Sequence, residues 1–164
     1  MRLRNILAAM AVAVSLLLAA CVGSTPIEKY MNEDIAGIGV EKNMDEAATM
    51  LEEILGECAE KLENGEEVDW DEVEQKVDPV LAGMQETRDK VAQIEITDED
   101  VKEINSYLVS TYDKLISGYE KMIAGFRDMD DELINEGSDD LTGAQEDILK
   151  WYELIEEAIK QYVD

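Results

Sequence analysis

The chain carries 2 cysteines, 40 aspartates and glutamates and no histidine, and this inventory limits its chemistry before any fold is considered. Without imidazole, Ser-His-Asp and Cys-His arrangements are excluded. So are the Glu-x-x-His pairs of di-iron bundles, and the ligands on which haem and catalytic zinc sites nearly always depend. Cys58 lacks the usual base that would make its thiol a nucleophile. It shares an apolar helical face with Leu51, Leu55 and Leu62, where a free cysteine behaves as a small buried group, so it is expected in the core. The alternative for a lone thiol outside the cytoplasm is an intermolecular disulfide. Calcium remains, because it takes oxygen ligands only. Asp128, Asp130, Asp131, Glu132, Glu136, Asp139 and Asp140 crowd one stretch, but an EF-hand would require glycine where Leu133 stands. The stretch reads as a solvated helix end with acidic caps. A weak cation site at Asp128, Asp130, Asp131, Glu136, Asp139 and Asp140 is the alternative. With so many acids, no spacing singles out a carboxylate pair for acid–base work. No catalytic residue and no cofactor is expected.

The other cysteine sits in a different context. Arg2 and Arg4 begin the chain, Ile6 to Leu18 is apolar apart from Ser15, and Leu18-Ala19-Ala20-Cys21 follows. A charged start, a short apolar run and small residues before a cut site describe a secretory signal peptide. The run is too short to span a bilayer, which takes ~20 apolar residues. An ordinary cut after Ala20 would place Leu18 where a small residue is preferred. The tetrapeptide instead resembles the lipobox of bacterial lipoproteins. That resemblance implies cleavage of 1–20, a diacylglyceryl thioether on Cys21, and location on the extracytoplasmic face of the cell membrane. Two acyl chains anchor firmly, because each buried methylene contributes ~0.8 kcal/mol and a single chain is marginal.

Removing Arg2 and Arg4 from the 14 basic residues leaves 12 against 40 acidic ones, a net charge of −28 on the mature chain. Such a surface repels nucleic acid and anionic lipid headgroups, and attracts basic protein patches, cationic peptides and divalent cations. High charge also keeps a tethered helical body soluble.

These groups require elements to carry them, and the periodicity is helical throughout. Residues 21–25 form a short tether. Thr25-Pro26-Ile27-Glu28 is a helix start with a capping threonine, proline in the first turn and a glutamate reaching back. Ile27, Tyr30, Met31, Ile35 and Ile38 keep helical spacing. Gly37 and Gly39 predict a kink or break, which leaves open whether 26–63 is one helix or two. Ala47, Ala48, Leu51, Ile54, Leu55, Cys58 and Leu62 share a face up to Asn64-Gly65, a helix stop. Trp70, Val77, Met84 and Val91, with Val73, Val80, Thr87 and Ile94, make a heptad stripe that stays in phase through Pro79, so a kinked single helix is expected.

Thr97-Asp98-Glu99-Asp100 opens the next helix. Its stripe runs from Val101 through Tyr112, Tyr119, Phe126 and Met129 to Leu133, and Asn135-Glu136-Gly137 reads as its stop. Gly118 and Gly125 beside the rings would let another helix approach closely. The rings are expected in the core, with an aromatic groove as the alternative. The last helix is expected to start near Ser138 or Thr142, with Thr142 and Gln145 as a capping box and Ile148, Trp151, Tyr152, Ile155, Ile159 and Tyr162 on its apolar face.

Short connections make neighbouring helices antiparallel. The expectation is therefore an all-α, up-down-up-down bundle over 26–164, with long helices at 26–63 and 98–135 and shorter ones at 70–94 and 139–163. The layout resembles the small helical lipoproteins of Gram-positive bacteria, and only Cys21 carries over from that likeness. The expected role is non-enzymatic: a membrane-anchored module presenting an acidic surface to an envelope protein. A small binding protein for a divalent cation or cationic peptide is the alternative.

Overall fold

The computed structural model describes residues 25–163. The expected signal peptide, Cys21 and residues 22–24 of the tether lie outside the described residues, and the side chain of Tyr162 is likewise not described.

Among these residues the fold is an all-α antiparallel bundle, built from α1 (Pro26–Lys29), a π-helical turn (Tyr30–Ile35), α2 (Ala36–Ile38), α3 (Val40–Glu63), α4 (Trp70–Ala92), α5 (Glu99–Asp128) and α6 (Asp131–Val163). The first start is the one the sequence predicts. The Thr25 hydroxyl accepts from the Glu28 amide at 3.3 Å, and the Glu28 carboxylate accepts from the Thr25 amide at 2.9 Å. Ile27, Tyr30, Met31 and Ile35 are buried. The break falls at Gly39, whose φ of 73° is left-handed and suits glycine. Segment 26–38 and α3 are therefore separate helical pieces that meet at Gly39. Gly65, at φ 71°, closes α3, with the Glu66 amide donating back to the Lys61 carbonyl at 2.8 Å. Asp69 caps α4, and Asp98 caps α5 by accepting from the amides of Asp100 and Val101.

α4 passes through Pro79 as a single helix. Pro79 is exposed, on the side where a lost backbone hydrogen bond costs least. Inward, Val73, Val77, Met84, Thr87 and Val91 are buried, as the heptad stripe requires.

Cross-helix pairs establish the directions. Asn105 donates to the Val91 carbonyl, Arg88 grips Asp113, and Arg127 reaches Glu74, so α4 and α5 are antiparallel. Lys121 meets Asp140 and Lys114 meets Asp147, so α5 and α6 are too. The core runs between all the rods, with Trp151, Tyr30, Tyr112, Leu51, Leu108 and Ile155 among its most enclosed side chains.

The boundary between the last two helices differs from the sequence expectation. α5 stops at Asp128, and Met129 reverses the chain in the left-handed region at φ 54°. Met129 is 71% exposed, not a member of the apolar stripe. Asn135, Glu136 and Gly137 lie inside α6, which at 33 residues is the longest helix rather than a short one over 139–163. The Thr142 hydroxyl donates to the Ser138 carbonyl at 2.9 Å within that helix, so it caps nothing.

Gly137 is not a stop because it is a crossing point. A Cβ there would lie 2.7 Å from the Gly118 carbonyl oxygen, and one on Gly118 would lie 2.9 Å from that of Gly137. The two backbones touch where neither has a side chain. Gly125 does the same against Ile134, 2.9 Å from its amide nitrogen.

Candidate functional site

The acidic residues nominated as a cation site are dispersed by the extended α6. Asp128 accepts from the Arg127 guanidinium at 3.1 Å. Asp130 caps α6, accepting from the amides of Glu132 and Leu133 at 3.0 and 3.1 Å. Asp131 stands in the first turn, while Glu136 lies 3.6 Å from Lys121 and Asp140 lies 2.8 Å from it. Asp139 is exposed on α6. Successive helical residues point about 100° apart, so the run cannot converge as it would in a loop. Among the described residues, no three His, Cys, Asp or Glu side chains are placed to hold a metal ion.

Cys58 is 3% exposed, in the core beside Leu55. Burial pushes its thiol pKa up, against a smaller opposing pull from Lys61. The arrangement suppresses the thiolate. Tyr112 and Tyr119 are buried and Phe126 is half-buried, so the aromatic stripe is core rather than an open groove. The Tyr112 hydroxyl donates to the Val40 carbonyl, next to the Gly39 break.

Three arrangements were not foreseen from the sequence. The first is a buried polar chain. The Trp151 indole N–H donates to the Tyr30 hydroxyl at 3.2 Å, Tyr30 donates to Asn105 Oδ1 at 3.0 Å, and Asn105 Nδ2 donates to the Val91 carbonyl at 3.2 Å. It ties segment 26–38 to the last turn of α4, the second turn of α5 and the interior of α6. Desolvation holds the Tyr30 phenol well above its ordinary pKa, so it stays a neutral donor.

The second is a ladder with two rungs across α5 and α6. Ser110 and Lys114 both meet Asp147, at 2.6 and 2.7 Å. One heptad further along, Ser117 and Lys121 both meet Asp140, at 2.7 and 2.8 Å. Together with the close approach of Gly118 and Gly137 beside the second rung, the ladder holds the hairpin in one register. The Lys121 ammonium, then the Ser117 hydroxyl, hold the Asp140 carboxyl below its usual pKa.

A pH dependence follows from that depression. A carboxylate whose pKa is lower folded than unfolded stabilises the fold above its unfolded pKa of ~3.9, and loses that contribution as pH falls through the folded value. Asp140→Asn is therefore expected to cost stability at neutral pH, by ~0.5–1 kcal/mol for a partly exposed pair. The difference from the parent protein should shrink as pH falls from the unfolded carboxylate pKa through the lower folded one. Urea titrations at several pH values read this directly; a difference that persists in acid would remove the ion pair as its cause.

The third arrangement is a groove of about 530 Å³ between α3 and α4. Ala47, Val80, Gly83 and Met84 line it, together with Met50, which is 49% exposed. Its charged lining residues are Glu46 and Glu86 against Lys76 and Lys90, two of each sign, on a chain of net charge −26. It is a neutral, partly apolar strip on an acidic body. Heptad analysis places Val80 and Met84 inward but does not show that Gly83, without a side chain, leaves the strip open.

Compared with protein-family models, curated proteins and solved structures, the chain matches none. No helix among the described residues is long and apolar enough to cross a membrane.

Proposed function

We propose that this is a lipid-anchored extracytoplasmic protein, held to the cell membrane through Cys21, whose non-enzymatic helical body presents an acidic surface to a basic patch on an envelope protein. The observation that carries the reading is the sequence Leu18-Ala19-Ala20-Cys21, followed within a few residues by a capped helix whose Ile27 is 1% exposed. Residues 22–25 reach at most ~14 Å when fully extended, so the first turn of the bundle stays beside the bilayer. The far end, with the turns after Glu63 and Asp128, stands roughly 45 Å further out along α5. Most carboxylates lie on exposed helix faces, where they act together as a field rather than as a site.

Two measurements test the two halves of the proposal. Cells fed a clickable fatty acid are expected to label the parent protein and leave Cys21→Ala unlabelled and released from the membrane; equal labelling would end the anchor reading. Cross-linking in intact cells is expected to recover one specific neighbour, with the purified pair dissociating as salt rises. Binding indifferent to ionic strength would sink the acidic-surface half.

A further inference from the structure

The groove between α3 and α4 contains both halves of a self-matching contact. Met50 stands out from α3 as a knob, 49% exposed. Gly83 on α4 is the hole, for a Cβ built there meets no atom within 4 Å. Gly118, Gly125 and Gly137, where helices cross, are already filled by a neighbouring helix, and Gly37 and Gly56 are open but lie outside the groove. The height of knob and hole follows from the Asn43–Thr87 hydrogen bond, which levels those two residues across the antiparallel pair. Four residues along each helix, Ala47 is level with Gly83. Helical side chains lean toward the N-terminus, so the tip of Met50 covers the turn of Glu46 and Ala47. Knob and hole therefore sit at one height.

We infer that this groove is the contact surface for a second copy of the chain, related by a two-fold axis parallel to the helices, with Met50 of each copy seated at Gly83 of the other. An isologous contact needs a surface that matches itself, and an axis along the helices preserves height, which a perpendicular axis would invert. The orientation rests on the anchor reading above: two copies held in one membrane through Cys21 stand side by side and share such an axis. Charge selects the same surface. A body of net charge −28 without Arg2 and Arg4 repels its copy over most of its area, whereas Glu46 and Glu86 balance Lys76 and Lys90 along this strip. A cationic partner gains nothing from a neutral strip; a like-charged copy can approach there. Raising salt screens the repulsion between the bodies, so the dimer strengthens with ionic strength, opposite to binding of the basic envelope partner.

The test uses full-length protein in intact cells, with differently tagged Met50→Cys and Gly83→Cys copies co-expressed and treated with a short bis-maleimide. The expected product joins the two tags, and Leu149→Cys in place of Met50→Cys gives none. Gly83→Leu, without added cysteines, is expected to abolish self-association of the purified protein at high salt, read by sedimentation, while the protein melts no lower than the parent. Fatty-acid labelling of the same samples reports the anchor separately. Label without the joined product overturns the dimer alone; the joined product without label supports the dimer and overturns the anchor. A Met50→Cys product containing some other protein in place of the second tag, or a dimer that weakens as salt rises, also overturns it.

Discussion

Trp151→Ala is expected to destabilise the bundle by about 4 kcal/mol, from the cavity and lost transfer energy of a fully enclosed aromatic residue. Trp151 is 0% exposed, and its ring stands edge-on to Tyr152 with centroids 4.8 Å apart. It is also the first donor of the buried chain through Tyr30 and Asn105. Truncation thus opens a void and removes a hydrogen bond that holds segment 26–38. For a domain whose whole stability is ~5–15 kcal/mol, this is a large fraction. Trp151→Phe separates the two effects: it keeps much of the ring and removes the N–H, for an expected loss of ~1–2 kcal/mol. Urea unfolding followed by circular dichroism measures both. If the alanine variant lost under ~1 kcal/mol, Trp151 could not be the centre of a packed core.

The second large effect is a contrast of sign between glycines on helices. Gly83→Ala is expected to stabilise by ~0.5–1 kcal/mol, because alanine is the better helix former and its methyl meets nothing within 4 Å. Gly137→Ala has the same intrinsic advantage and is nonetheless expected to destabilise by ~2–3 kcal/mol. Its methyl would stand 2.7 Å from the Gly118 carbonyl oxygen and 3.0 Å from the Met122 amide nitrogen. These are backbone atoms of a packed helix, so relief requires α5 and α6 to separate and the Ser110–Asp147 and Ser117–Asp140 rungs to stretch. Gly118→Ala should behave alike. Once one alanine has spread the helices, the second costs less, so the double variant should lose less than the sum of the two. Thermal or urea midpoints of the four variants and the parent decide the matter. A stabilised Gly137→Ala would mean that the helices do not cross where their backbones appear closest.

Much of the fold is legible in local pattern. The helix starts at Thr25, Asp69 and Asp98 combine a capping oxygen with an apolar period, and both signals lie within a turn of each other. The Gly39 break and the Gly65 stop are legible because left-handed backbone favours glycine at any site. The acidic run from Asp128 to Asp140 was harder to read. A helix end and a helix interior carry the same acidic residues there, and only the position of the turn decides whether the carboxylates can gather. The buried chain was not legible at all: Trp151 and Tyr30 are 121 residues apart, and no local spacing marks them as partners.

Residue types and their period, by themselves, determined an all-helical antiparallel bundle, a core with Cys58 in it, and a chain without imidazole chemistry, because caps and apolar spacing act within a few residues. The turn at Met129 and the crossing at Gly137 were decided by tertiary structure. A glycine can end a helix or admit another, and which it does depends on whether a second backbone lies against it. Here Gly118 lies against Gly137, while Gly83 faces open space.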